Sequence, residues 1–317
     1  MTAEAARVDV SVLVPARDEE ANIAPFVAQC AEVFAARPEQ YEVVFIDDGS
    51  RDGTWAAIEA MRARHPFVRA IRHRGGRGIA DALRSGYLAA RSDILVFYPA
   101  DLQFKPEDIP RLVAPVLAGE SDIVTGRKQG QYDKAFVSRV YNGLSRMLFD
   151  IPVKDLNNVK AYRREIMDDQ PVRPDWHRYM IVIAVANGYT VSEVPVPLYP
   201  RQAGKSKFGL SRIPIGVLDM LSVWFELRFS RKPLLAFGML GGAIFAVAAI
   251  AGGALLFAGQ GTRPVWAVIQ TALVLGAGSF ATGLLGEQVA AARAEQREIR
   301  RRLDELAARS DRTDSTD

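Results

Sequence analysis

Two uncharged apolar stretches near the C-terminus constrain this 317-residue chain more than any other feature. Residues 233–259 carry no charge and are rich in Ala, Gly, Leu, Ile and Phe. Residues 265–286 form a second uncharged stretch after the short break Gln260-Gly261-Thr262-Arg263-Pro264. Crossing a bilayer takes about 20 predominantly apolar residues of helix, and each stretch supplies them. The competing reading is a buried helical hairpin of a soluble protein. Soluble helices of this length carry a polar face, and these stretches have none. Gly238, Gly241, Gly242, Gly252 and Gly253 are small enough to let membrane helices pack closely, which also allows a homo-oligomer through these helices.

The flanks set an orientation. Arg228, Arg231 and Lys232 precede the first stretch, and Arg293, Arg297, Arg300, Arg301 and Arg302 follow the second. The loop between them offers only Arg263. Positive-inside bias therefore predicts a multi-pass protein of the inner (plasma) membrane, with both termini and everything before residue 233 in the cytoplasm. The opening Met1-Thr2-Ala3-Glu4 has no basic n-region or apolar h-region, so no signal peptide is expected. The single cysteine, Cys30, excludes an intrachain disulfide and reads as a buried structural thiol. A net charge of only +3 gives no argument for nucleic acid as a partner.

Upstream, residues 8–125 alternate between short β-branched runs and helical patterns. Strands are expected at Val8–Val14, Tyr41–Ile46, Phe67–Ile71, Ile94–Tyr98 and Asp122–Thr125, with helices at about 19–36, 53–64, 76–90 and 106–117. Such alternation predicts an α/β fold with a doubly wound, mostly parallel sheet. From Lys134 the pattern loosens. It gives a helix near 136–149, a short element at 159–162, a helix near 176–187 and a strand at 190–195. The polar loop Tyr199–Gly209 leads to Leu210–Phe229, where apolar residues at helix spacing suit either a membrane interface or packing on the globular part. Four regions follow: a globular domain 1–209, an amphipathic juxtamembrane segment 210–232, the two spans 233–286, and a charged helix with a disordered tail over 287–317.

Chemistry gathers at three strand ends: Val14-Pro15-Ala16-Arg17-Asp18-Glu19-Glu20, Ile46-Asp47-Asp48-Gly49-Ser50-Arg51-Asp52-Gly53-Thr54 and Tyr98-Pro99-Ala100-Asp101-Leu102-Gln103. In a parallel sheet these ends share one edge, and ligands bind there. A carboxylate such as Asp48 can accept hydrogen bonds from a base or ribose, and Asp52 is placed to cap the next helix. An acid at a strand end is a usual way to hold a divalent cation against a diphosphate. Gly75-Gly76-Arg77-Gly78 lacks the context of a phosphate loop and reads as a turn near the nucleotide. His177 reads as structural.

With these motifs in order, the chain resembles the family 2, GT-A-fold glycosyltransferases, specifically the polyprenyl- or dolichyl-phosphate sugar synthases of the bacterial branch with two C-terminal spans. The matches are Val14–Ile23, Ile46–Thr54, Pro99–Glu107, Thr125-Gly126-Arg127 and Arg201–Lys207. The resemblance implies a GT-A sheet followed by a transmembrane hairpin. It also implies inverting transfer of a sugar from a UDP- or GDP-linked donor to a polyprenyl phosphate at the membrane. By the same resemblance Pro15, Arg17, Glu19, Asp48 and Ala100 contact the nucleotide, and Asp101 and Gln103 hold Mg²⁺ or Mn²⁺. Arg127 and Lys134 face the acceptor phosphate, Asp155 orients acceptor or sugar, and Arg201, Ser206 and Lys207 meet the donor diphosphate. Pro99 stands where the family places a first metal carboxylate, and Arg17 where an aromatic residue is common, which implies guanidinium stacking on the base. Two other readings stay open at this point. One is transfer to a neutral lipid such as diacylglycerol or ceramide, with Asp155 as general base. The other is a non-catalytic membrane scaffold with a decayed site.

Overall fold

Val10-Ser11-Val12-Leu13-Val14 and Tyr41-Glu42-Val43-Val44-Phe45-Ile46 are almost continuous apolar, β-branched runs, the pattern of strands covered on both faces. The computed structural model places them as β1 (Val10–Ala16) and β2 (Tyr41–Asp47), the latter buried along its whole length. It describes residues 7–130, 135–156, 159–168, 176–200, 212–229, 232–259 and 262–314. These fall into two units, Met1–Leu221 and Ser222–Asp317.

The first unit holds β3 (Val68–Arg72), β4 (Ile94–Phe97), β5 (Ile123–Gln129), β6 (Lys160–Arg163) and β7 (Val191–Pro197). Its helices are α1 (Glu20–Ala35), α2 (Thr54–Arg64), α3 (Ile79–Ala89), α4 (Ile109–Leu117), α5 (Ala135–Phe149), α6 (Glu165–Asp168) and α7 (Met180–Ala186). The seven strands form one sheet in the order β3-β2-β1-β4-β6-β5-β7. Pairing is parallel except for β6, which runs antiparallel to both neighbours. The expected alternation is present, with strand limits moved by at most four residues. The expected short element at 159–162 is β6, the strand that joins the two parallel halves.

Helix α1 explains how this sheet is covered. Ile23, Phe26, Val27 and Cys30 recur at i, i+3, i+4 and i+7, and all four are fully buried. Phe26 meets Phe45 edge to face at 5.9 Å and Tyr98 at 6.2 Å, tying α1 to β2 and to the end of β4. Burial pushes the Cys30 thiol well above its ordinary pKa, so it is an inert packing residue.

Helix α8 (Arg212–Phe229) straddles the division between the units. In its first part Met220 is buried, whereas Leu218 and Leu221 are exposed. The second unit consists mainly of α9 (Pro233–Phe257) and α10 (Thr262–Asp314), and both are long and apolar enough to cross a membrane. They pack on each other through small residues. A Cβ on Gly241 would lie 3.2 Å from the Gly276 carbonyl oxygen, and one on Gly276 would lie 2.6 Å from the Phe245 ring. Gly238, Gly242 and Gly253 have open space instead, so only part of the glycine set serves this pairing. Ser279 donates to the Phe237 carbonyl at 2.7 Å. Helix α10 runs through what the sequence divides into a span, a charged helix and a disordered tail from Ser310. The helix instead continues to Asp314, because no Gly or Pro interrupts the chain after Gly286.

Candidate active site

The site begins where two prolines stop a ladder. Leu13 pairs with Phe97, and the Tyr98 N–H still reaches the Leu13 carbonyl at 3.0 Å. Two residues on, Pro15 has no N–H to offer, and Pro99 has none on the facing strand. On its other side β1 stays paired with β2 to Ala16, opposite Asp47. The strands β1 and β4 therefore part at their carboxyl ends. This is also where the strand order reverses, since β2 and β3 lie to one side of β1 and β4 to the other. Open α/β sheets bind ligands in that crevice.

The loops after β1 and β2 are laced together by the acidic residues that stood out in the sequence. The Asp18 carboxylate accepts the Arg51 N–H at 2.8 Å, and the Asp18 N–H donates to the Ser50 hydroxyl. The Glu19 N–H donates to the Thr54 hydroxyl at 2.8 Å, while its carboxylate accepts from the Asn22 amide at 2.6 Å. Asp52 accepts the Thr54 N–H at 3.0 Å from one position ahead of Gly53, so it holds the start of α2 while Gly53, not Asp52, is the N-cap. Glu19 thus braces the turn into α1.

Asp48 lies buried at the end of β2. Its carboxylate accepts the N–H groups of Arg77 at 2.8 Å and Gly78 at 2.9 Å, and pairs with His73 Nδ1 at 2.9 Å. Burial alone would raise its pKa. The donors from Arg77, His73 and Gly78 outweigh that and hold the carboxyl below its ordinary value. Asp48 therefore organises the loop after β3. Gly49, at φ +70°, lets that loop come close: a Cβ there would lie 2.6 Å from backbone atoms of Gly75 and Gly76. The Arg17 guanidinium lies over Gly76, 2.5 Å from where a Cβ would sit. Between these loops is a cleft of about 510 Å³, and every charged side chain on its wall (Arg17, Arg51, Arg72, Arg74) is an arginine, with His73 beside them. Arg72 also lies 5.3 Å from the Trp55 ring centroid. Gly75 and Gly76 of the Gly75–Gly78 segment line this wall. His73 was not singled out from sequence, although it lies two residues from that segment.

At the end of β4, Tyr98 is buried and donates to the Lys105 carbonyl at 2.7 Å. Asp101 Oδ1 accepts the Gln103 N–H at 3.2 Å, and Leu102 between them takes φ +56°. Ala100 is buried. The Gln103 carbonyl accepts the Tyr199 N–H at 2.9 Å, and Lys105 Nζ lies 4.3 Å from the Tyr199 ring centroid, so this loop is fastened to the segment after β7. Among the described residues no cluster of three or more acidic, His or Cys side chains could hold a metal by itself. Asp101 with Gln103 still suits Mg²⁺ or Mn²⁺, which often takes one or two carboxylates and completes its shell from water and substrate phosphates.

Farther along this edge, the Arg127 guanidinium pairs with Glu193 at 3.5 Å. Gly126 before it lets β5 close on β7, since a Cβ would lie 2.7 Å from Val196. Asp155 accepts the Lys128 N–H and the Asn142 amide, each at 3.1 Å, with Lys128 Nζ at 3.9 Å. Sequence reading missed Lys128 and Asn142; only the fold brings them to Asp155. His177 is buried with its ring edge to face on Phe97, as a structural residue would be. Lys134, Arg201, Ser206 and Lys207 lie outside the described residues.

A mostly parallel sheet with its crevice at the β1/β4 reversal is the GT-A fold. Solved structures agree: glucosyl-3-phosphoglycerate synthase from Mycobacterium tuberculosis, crystallised with Mn²⁺, UDP and glucosyl-3-phosphoglycerate, superposes with a TM-score of 0.56 at 20% identity, over 69% of this chain and 80% of that one. The same enzyme with Mg²⁺ and UDP gives a TM-score of 0.56. Residues 11–175 match the family described as Glycosyl transferase family 2, and the chain belongs to that family. Its relatives include the dodecaprenyl-phosphate galacturonate synthase of Rhizobium johnstonii, 28% identical over 89% of this chain and 88% of that protein. Another is the undecaprenyl-phosphate 4-deoxy-4-formamido-L-arabinose transferase of Pseudomonas fluorescens, 29% identical over 88% of this chain and 84% of that one.

Proposed function

We propose that this protein is an inverting glycosyltransferase that moves a sugar from a nucleotide-diphosphate donor onto a polyprenyl phosphate at the cytoplasmic face of the membrane. The observation that carries the reading is a switch-point crevice with a cationic cleft and a strand-end carboxylate, in a chain that also has two helices of bilayer length. The relatives named for polyprenyl-phosphate sugars support the acceptor.

In this reading the nucleotide lies against Pro15, Arg17 and Ala100, with Glu19 and Asp48 holding the loops that shape its pocket. Asp101 and Gln103 would hold Mg²⁺ or Mn²⁺, which would supply charge stabilisation to the departing nucleotide. The acceptor phosphate is already ionised at neutral pH, so attack by its oxygen needs no strong general base. That oxygen displaces the nucleoside diphosphate from the anomeric carbon in line, which inverts the configuration. Arg127 and Lys134 meet the acceptor phosphate, and Arg201, Ser206 and Lys207 the donor diphosphate, so that catalysis is chiefly placement of two anions among cations. A hydroxyl acceptor would require a base, and the Asp155 carboxylate is instead engaged by Lys128 and Asn142.

The test uses detergent-purified full chain, a short prenyl phosphate, a panel of UDP- and GDP-sugars, and Mg²⁺, Mn²⁺ or chelator. Metal-dependent transfer to the prenyl phosphate is expected. Transfer to diacylglycerol or ceramide with none to prenyl phosphate would overturn the reading, and so would no transfer with any donor.

A further inference from the structure

The loop that follows β4 carries both residues read as metal ligands, and from Pro99 to Lys105 it has no helix or strand of its own. Two sets of contacts hold it. The first ties it to the core: Leu102 and Phe104 are buried there, and the Tyr98 hydroxyl donates to the Lys105 carbonyl at 2.7 Å. Leu102 takes φ +56°, a left-handed backbone that a leucine keeps only where its surroundings impose it.

The second set ties the loop to the end of β7. The Gln103 carbonyl accepts the Tyr199 N–H at 2.9 Å, and the Lys105 ammonium lies 4.3 Å from the Tyr199 ring centroid, well within the range of a cation–π contact. Tyr199 is itself anchored. The Leu198 N–H donates to the Gln129 carbonyl at 2.9 Å, Val196 is buried, and β7 stays paired with β5 as far as Pro197 opposite Gln129. A fixed strand end therefore grips the loop at Gln103 and again at Lys105.

Metal chemistry gives this grip a use. Asp101 offers one carboxylate and Gln103 a neutral oxygen, so a cation there depends on both oxygens being held in place. Groups that hold metal ligands from behind typically cost ten- to hundredfold in affinity or activity when removed. We propose that Tyr199 and Lys105 are positioning residues of the metal-binding loop: the Tyr199 ring holds the Lys105 ammonium, and with it the loop that presents Asp101 and Gln103 to a divalent cation. The inference rests on the transferase reading above, in which Asp101 and Gln103 meet that cation.

The sign of one effect separates this role from plain electrostatics. Lys105 is a positive charge close to Asp101 in sequence, and by Coulomb repulsion alone its removal would strengthen the binding of a cation. Loss of a brace would weaken it. The test titrates full-length protein in detergent with Mn²⁺ in the presence of UDP or GDP, reading free Mn²⁺ by its paramagnetic resonance signal. Lys105→Met and Tyr199→Leu should each weaken Mn²⁺ binding about tenfold. Their Tm without metal should stay within about 4 °C of wild type. Tyr199→Phe keeps the ring and should bind Mn²⁺ like the wild type. The double variant should bind no more weakly than either single one, because both residues act through one contact. Lys105→Met binding Mn²⁺ as tightly as wild type or more tightly would overturn the proposal, and so would losses that multiply in the double variant. Lys105→Gln takes its place if Lys105→Met does not fold. A wild type that binds Mn²⁺ but transfers to no prenyl phosphate would end the transferase reading and leave the Mn²⁺ titrations to decide about the brace. A wild type that binds no Mn²⁺ with either nucleotide would sink the brace, whatever the transfer assay gives.

Discussion

Asp101 and Gln103 sit two residues apart on one loop, and their chemistry separates them sharply. Asp101 brings a full negative charge that is buried and already turned toward the Gln103 N–H. Gln103 brings a neutral oxygen that water can replace. Asp101→Ala should therefore lower kcat/KM at least about a hundredfold, the scale of losing one preorganised electrostatic group. Gln103→Ala should cost only several-fold and should be rescued by raising the metal concentration. Steady-state kinetics across a Mn²⁺ titration distinguishes the two, and equal losses would mean that Asp101 holds the loop rather than the ion. At this scale the sequence was legible where a residue's neighbours are its own motif. Asp52 holds the first N–H of α2 from one position ahead of the Gly53 N-cap, next to the place its position implied. It was not legible where partners arrive from other elements. Asp48 was expected to face the nucleotide, yet its carboxylate is committed to His73, Arg77 and Gly78, some thirty residues away. Arg127 was expected to face the acceptor phosphate and is paired with Glu193 on the adjacent strand.

The element that shapes the arginine-lined cleft is the loop from His73 to Gly78, and it depends on glycines in two different ways. Gly49 needs both its left-handed backbone and the space of a missing Cβ, because Gly75 and Gly76 press on it. Gly78 also has positive φ, at +91°, but faces open space. Gly49→Ala should thus incur a left-handed strain of about 1–2 kcal/mol and also displace the loop. Gly78→Ala should incur backbone strain alone, of about 1–3 kcal/mol. The measurable difference is nucleotide affinity, which should fall for Gly49→Ala and hold for Gly78→Ala at a similar Tm; isothermal titration with UDP and GDP reads it. Both variants losing affinity alike would show that strain rather than crowding sets the cleft. Elements were legible from periodicity, as the buried i, i+3, i+4, i+7 face of α1 illustrates. The direction of β6 was not. Lys160-Ala161-Tyr162-Arg163 has the length of a strand, but nothing local tells a strand which way to run. Only its pairing with Phe97 and Thr125 sets that.

At the scale of the whole molecule the decisive quantity is helix length against bilayer thickness. The 53 residues of α10 extend about 80 Å at 1.5 Å per residue, against a hydrocarbon core of about 30 Å. Much of this helix must therefore project beyond any membrane it crosses, and its charge pattern says which end. The apolar part ends near Gly286, and Glu287 accepts the Leu234 N–H from the first turn of α9 at 3.4 Å, so one level marks the boundary on both helices. Basic residues cluster on that side, at Arg228, Arg231 and Lys232 and again from Arg293 to Arg302, with only Arg263 at the other end. Positive-inside bias then predicts Thr262 outside and the end of α10 in the cytoplasm. Cysteine labelling tests this cleanly, because the single native thiol, Cys30, is buried and can be replaced by serine. In that background Thr262→Cys should react with a membrane-impermeant maleimide added to intact cells, while Ser310→Cys should react only after the membrane is opened. The reverse pattern would place the sheet on the outer face, away from cytoplasmic nucleotide-sugars, and would overturn the orientation together with the proposed donor supply. Labelling of both sites from outside would mean that α10 does not span.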